Sequence, residues 1–118
     1  MEKKFKLRRD QIKQLVTGLG ACMASDSILV DGKRVGYMYR EVPDETKECL
    51  DSGWTFMSGD ETQEYADDPD HWALYDVNTV CNYDPEIIPL LNAPPKSAFA
   101  RDDKTGRFVE EAFEEPEE

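Results

Sequence analysis

Apolar positions along the chain repeat with two periods. Ile12, Leu15, Val16 and Leu19 fall at i, i+3, i+4 and i+7, the stripe of an amphipathic helix. The stripe predicts a helix over residues 10–19, with Asp10 as N-cap and Gly18 and Gly20 as its stop. The next segments read as strands. Ala21–Ser25 and Ile28–Val30 are short apolar runs, and Asp31-Gly32 is a hairpin signal because glycine accepts positive φ without steric cost. Val35–Arg40 alternates and carries two aromatics, which predicts a strand. Val42-Pro43-Asp44 breaks it, residues 43–52 read as a polar loop, and Trp54–Ser58 is a further strand.

Ser58-Gly59-Asp60-Glu61 has the spacing of a capping box, so a helix is expected from there through Tyr65. It must end before Asp68-Pro69, since a residue preceding proline disfavours the α region. Trp72–Tyr75 reads as a strand, and Asp76–Asn82 as a helical turn with Val77 and Val80 facing inward. Asp84-Pro85-Glu86 starts another short helix with proline at its first position, and Pro89 limits its length. Asn92–Pro95 is a loop, Ser97–Arg101 a strand, Asp103–Gly106 a turn and Arg107–Ala112 a last strand. Residues 1–7 are expected to fray or to form an edge strand. The sum is a compact α+β domain over residues 1–113, followed by an acidic, disordered tail at 114–118. One N-terminal amphipathic helix is expected to pack on a small, mostly antiparallel sheet, with one or two further short helices. Strands and long helices do not alternate, which argues against a doubly wound parallel sheet.

Charge narrows the partners. The 118 residues hold 14 Lys and Arg against 26 Asp and Glu, a net charge of −12. Such a chain is repelled by nucleic-acid phosphates and anionic membranes and attracts a basic partner. Residues 1–13 carry six bases against two acids, residues 110–118 carry six Glu and no base, and the intervening body is itself acidic. The basic arm could pair with the acidic tail within one chain or between two, so a monomer and a homodimer are both compatible with the sequence. No apolar run reaches the roughly 20 residues of a membrane span, and no apolar stretch follows the basic start as a secretory leader requires. Cys22, Cys49 and Cys81 lie far apart, which argues against a disulfide framework and fits a reducing cytoplasm.

Few residues suit catalysis. His71 is the single histidine, so a Ser-His-Asp or Cys-His mechanism would have to run through it, in a turn-rich segment that suits a loop histidine better. There is no G-x-S-x-G elbow, no C-x-x-C pair and no glycine-rich phosphate loop. Three Cys and one His with this spacing make no zinc site, and Cys22 and Cys81 read as small buried hydrophobes. The densest feature is acidic: Asp60, Glu61, Glu64, Asp67, Asp68 and Asp70 put six carboxylates into eleven residues. On a continuous helix Glu61, Glu64 and Asp68 would share one face. The cluster lacks the spacing and glycine of a calcium-binding EF-hand. A solvated face and a surface for a basic protein both fit it. The aromatics fall mostly in strands, where packing is their expected role.

Several blocks carry a resemblance. They are Val35-Gly36-Tyr37-Met38-Tyr39-Arg40-Glu41, then Asp51-Ser52-Gly53-Trp54-Thr55-Phe56-Met57-Ser58-Gly59-Asp60-Glu61, then Tyr75-Asp76-Val77-Asn78-Thr79-Val80. Asn82-Tyr83-Asp84-Pro85-Glu86-Ile87-Ile88-Pro89-Leu90-Leu91 and Ser97-Ala98-Phe99-Ala100-Arg101 complete the set. Over about residues 21–102 the chain resembles the thirty-third family of bacterial immunity proteins, once filed as a domain of unknown function. The resemblance implies a small cytoplasmic α+β protein that binds and neutralises a cognate polymorphic toxin. It supplies no catalytic residues, no cofactor and no metal. Joined to the charge pattern, it leads to an expected binding face of Asp60, Glu61, Glu64, Tyr65, Asp67, Asp68, Asp70 and Trp72, directed at a basic toxin. The alternative expectation is a small ligand-binding or enzymatic pocket near Trp54, Asp76, Asn78 and Tyr83.

Overall fold

A computed structural model describes residues 5–7, 9–42, 51–102 and 104–112 of the chain. Six strands form one sheet: β1 (Ala21–Ser25), β2 (Tyr37–Arg40), β3 (Asp51–Met57), β4 (Trp72–Asp76), β5 (Ser97–Arg101) and β6 (Phe108–Glu111). Their order is β4-β1-β3-β2-β5-β6. The β1–β3 pair is parallel, and the other pairings are antiparallel. Three short α-helices, α1 (Asp26–Leu29), α2 (Gln63–Asp67) and α3 (Val77–Tyr83), and 3₁₀ segments at Arg9–Gln11, Pro69–His71 and Pro85–Leu90 complete the α+β fold. Among the described residues no helix is long and apolar enough to cross a membrane.

One face of the sheet is the core. Ala24 pairs with Phe56, Phe56 with Met38 and Met38 with Phe99, a row across four strands whose first three members are fully buried. Ile28 and Leu29 of α1, Val77, Val80 and Cys81 of α3, and Ile87 and Leu91 beyond it cover that row. Trp54 stacks on Phe56 at 5.9 Å and donates its indole N–H to the Leu91 carbonyl at 3.3 Å. Burying a side chain such as Phe56 is worth about 1.5–3 kcal/mol, so this layer dominates stability. Two glycines set how closely the backbones approach. A Cβ on Gly36 would lie 1.9 Å from the Ser58 carbonyl oxygen. Gly53 sits at φ +82°, beside an irregular β1–β3 register where Ser52 Oγ donates to the Ala21 carbonyl; its Cβ would lie 2.2 Å from the Glu41 carbonyl oxygen.

The expected helix over 10–19 is absent. Beyond the 3₁₀ turn Arg9–Gln11 the chain runs as an irregular strap to Gly20. Its backbone is held by side chains of α3. Asn78 Oδ1 accepts from the Leu15 and Val16 amides at 2.7 and 3.1 Å, and Asn82 Oδ1 accepts from the Lys13 amide at 2.9 Å. Both asparagines donate to the Lys13 carbonyl at 2.9 and 2.8 Å. Val16 and Leu19 still pack on the core, but Leu15 is 43% exposed, so the apolar stripe is not buried as one helical face. An isolated helix of this length is marginal, and these tertiary bonds take the backbone groups it would need.

The expected strand Ile28–Val30 is also replaced. Ser27, Ile28 and Leu29 are all buried, which suits a helical turn against the core rather than an alternating strand. Gly32, at φ +79°, donates to the Ile28 carbonyl at 3.0 Å, so Asp31-Gly32 ends α1 rather than forming a hairpin. Of the other elements, β3 begins three residues earlier than expected, at Asp51, and α2 begins at Gln63 rather than at the Ser58 capping box; the remaining strands and helices lie within about two residues of where the sequence places them. The loop over 43–50, Cys49 and the acidic tail lie outside the described residues.

Candidate functional site

The acidic segment follows β3. Glu61, at its root, turns inward. The hydroxyls of Ser25 and Ser27 donate to its Oε2, each at 2.6 Å, as does the Ser58 amide at 2.9 Å, and the Gly59 amide reaches Oε1 at 2.8 Å. Burial alone would raise the pKa of Glu61; donation by the two hydroxyls and the Ser58 amide reverses this and brings it down to about 2. Glu61 thus reaches back three residues to Ser58 as a capping-box glutamate would. Its attachment to the buried serines keeps residues 58–61 out of the helix. The N-cap is Thr62, whose Oγ1 accepts from the Tyr65 amide at 3.1 Å, and α2 is a single turn. Asp60 pairs with Lys33 at 2.7 Å and accepts from Ser58 Oγ; the bond from Lys33 lowers its pKa.

The rest of the segment is pinned by local contacts. Asp68 accepts from the Asp70 amide at 2.9 Å and so caps the 3₁₀ turn Pro69–His71. The His71 ring stacks on Tyr65 at 3.9 Å and 13°, and its Nδ1 lies 2.8 Å from the Tyr65 carbonyl oxygen. Trp72 donates its indole N–H to the Ala66 carbonyl at 3.0 Å. Glu64, Asp67 and Asp70 are left exposed, Asp68 is half-buried, and Tyr65 and Trp72 are half-buried beside them. Glu61, Glu64 and Asp68 do not share a helical face, because Glu61 precedes α2 and Asp68 ends it. Burial, with the carboxylates of Asp26, Asp31 and Glu61 nearby, raises the pKa of the Tyr65 phenol. Asp26 and Asp31 therefore belong to the same negative region, which the linear pattern did not indicate.

Beside α2, on the sheet face opposite the core, is a cavity of about 710 Å³. Met23, Tyr39, Thr55, Met57, Trp72 and Leu74 line it, and Glu41, Asp51 and Asp67 add carboxylates. No sequence motif announces this surface. Its only signal is the alternation within the strands, which puts Met23, Tyr39 and Leu74 out of phase with the core residues beside them.

Trp54, Asp76, Asn78 and Tyr83 do not converge. Trp54 is 1% exposed in the core. Asp76 caps α3 by accepting from the Asn78 amide at 2.8 Å, and Asn78 holds the strap. Tyr83 donates its hydroxyl proton to the Leu29 carbonyl at 3.0 Å and accepts from the Leu7 amide at 2.9 Å. The Asn82-Tyr83-Asp84-Pro85 and Ser97–Arg101 blocks also meet in a structural clasp. Arg101 pairs with buried Asp84 at 2.5 Å and with Glu86 at 2.8 Å, donates to the Val35 carbonyl at 3.0 Å and lies over the Phe108 ring. Asp84 in turn accepts from the Val35 amide at 3.1 Å. Cys22 and Cys81 are buried free thiols, and burial raises the pKa of both. Among the described residues no group of three or more His, Cys, Asp and Glu could hold a metal ion.

A family model described as the immunity protein Imm33 domain matches residues 22–112. No curated protein and no solved structure matches the chain.

Proposed function

The chain belongs to the Imm33 immunity-protein domain family, and we propose that it neutralises a cognate toxin by stoichiometric binding rather than by catalysis. The partner is a protein toxin with a basic binding region, met in the cytoplasm. The binding face is the acidic and aromatic segment at 60–72. Glu64, Asp67, Asp68 and Asp70 supply charge and Tyr65 and Trp72 apolar surface, while Asp60 and Glu61 anchor its root.

The observation that carries this reading is the fixation of the segment. The Tyr65–His71 stack, the Trp72 indole bond and the Glu61 attachment hold exposed carboxylates on a backbone that needs little further ordering. Pre-organisation lowers the entropic cost of association, and a negative surface steers a basic partner toward it. The net charge of −12 acts in the same direction and disfavours a nucleic-acid partner.

Affinity capture from the source cell at low and high salt, read by mass spectrometry, tests the proposal. A basic toxin domain retained at low salt and partly released at high salt is expected. The variant carrying Glu64→Lys, Asp67→Lys and Asp70→Lys should lose it. Equal capture by that variant, folded and melting like the parent, would refute the acidic face.

A further inference from the structure

The row Leu74–Met23–Thr55–Tyr39 crosses four strands on the sheet face opposite the core. Leu74 is 54% exposed, and Met23 and Met57 are half-buried. Carbon-rich surface of this kind is ordinarily covered in a stable protein, and contiguous patches mark interaction sites. A second hollow of about 410 Å³ adjoins the first and shares Met23, Ala66, Asp67, Trp72 and Leu74 with it. The second extends the lining past Trp72 to Pro69 and Ala73, a reach that suits a length of chain better than a compact ligand. Among the described residues the linings of this depression include the carboxylates of Glu41, Asp51 and Asp67 and no lysine or arginine.

We infer that this depression is a docking groove for an amphipathic segment of a partner protein in which apolar side chains alternate with lysine or arginine. The inference rests on the toxin-binding reading and adds to it the apolar half of the interface and the chemistry that fills it. The apolar side chains sit over Met23, Trp72 and Leu74. The cations lie against Glu41, Asp51 and Asp67, which α2 and the ends of β2 and β3 bring to the rim. Met23 and Met57 are unbranched and polarisable, so they can adapt to the shape of the incoming side chains. The Trp72 indole N–H is already bonded to Ala66, which leaves the ring itself as the contact surface. The exposed carboxylates of α2 provide long-range attraction, and the groove provides the desolvated centre on which affinity depends.

Short synthetic peptides test the groove without the toxin. The full chain is titrated calorimetrically with an alternating Leu-Lys peptide, a Ser-Lys peptide of equal charge and a Leu-Glu peptide. The Leu-Lys peptide should bind at least about tenfold more tightly than either of the others. Met23→Lys and Leu74→Lys should each weaken it by about tenfold or more, whereas Val109→Lys, which adds the same charge on β6, should not. Peroxide should oxidise Met23 and Met57 in the free protein and react more slowly once the Leu-Lys peptide is bound. Equal binding of the Ser-Lys peptide, an equal loss in Val109→Lys, or resistance of both methionines in the free protein would each overturn the groove. Absence of peptide selectivity with a toxin still captured would overturn this assignment alone. Selective peptide binding with no toxin captured would uphold the groove and overturn the toxin reading.

Discussion

Replacing Glu61 by glutamine removes the charge that organises the root of the acidic segment while nearly preserving its volume. The native carboxylate receives two hydroxyl and two amide donors, and its pKa falls from 4.5 to about 2. At about 1.36 kcal/mol per unit this corresponds to roughly 3 kcal/mol of preferential stabilisation of the ionised form. Glu61 is only half-buried, so solvent screening reduces the expected figure to about 2 kcal/mol. The sign follows from the depressed pKa. The contribution is fully present above pH 4.5, the ordinary value, and is lost as pH falls through about 2. Glutamine cannot reproduce it, because its NH₂ group would face hydroxyl and amide donors. Urea unfolding of parent and Glu61→Gln from pH 7 to pH 2 measures the effect. The variant should be less stable by about 2 kcal/mol at pH 7, and the gap should close through the acid window. Other carboxylates titrate in both proteins, so the difference between the two curves is the diagnostic quantity. Parallel curves with a constant gap would refute an ionised Glu61 as the anchor, and superposed curves would refute any anchoring role.

Arg101→Ala leaves the buried Asp84 side chain without its guanidinium partner. It should destabilise by about 3–5 kcal/mol in chemical denaturation. The double variant Asn78→Ala, Asn82→Ala releases the strap. Amides of Lys13, Leu15 and Val16 should then exchange with deuterium markedly faster, while those of β1 and β3 keep most of their protection. Burial pushes the Cys81 thiol up to about 11 and raises that of Cys22 further. Peptide mapping after iodoacetamide treatment at pH 8 should therefore find both cysteines unmodified in the native protein and both modified in urea.

How much of this was legible in the chain differs from element to element. The strand at Ala21–Ser25 was visible as a short apolar run. The helix α3 was visible as a helical turn over Asp76–Asn82 with Val77 and Val80 facing inward. The stop before Pro69 followed from proline's clash with the residue that precedes it, and the start at Pro85 from proline's fixed φ at a first helical position. The family blocks were also readable, and in the fold several of their residues serve structure. Gly36 and Gly53 permit close backbone approach, Asp84 and Arg101 form the clasp, and Asn78 and Asn82 hold the strap. The acidic segment was found from composition, but composition could not separate the carboxylates that face solvent from the one that faces two serines.

The sequence by itself determined the local elements and the acidity, because both depend on neighbouring residues and on counting. Tertiary structure decided the course of residues 12–20, the direction of Glu61 and the existence of the open face. The apolar stripe at Ile12, Leu15, Val16 and Leu19 reports which side chains avoid water, not which groups their backbone will bond. Those groups belong to asparagines more than sixty residues away, and a few such bonds outweigh a marginal helix. Glu61 is likewise claimed by Ser25 and Ser27, which the chain brings close only when β1 lies beside β3. The docking groove arises last, from strand order. Alternation marks two faces on every strand, and only the assembled sheet shows which of them the helices cover.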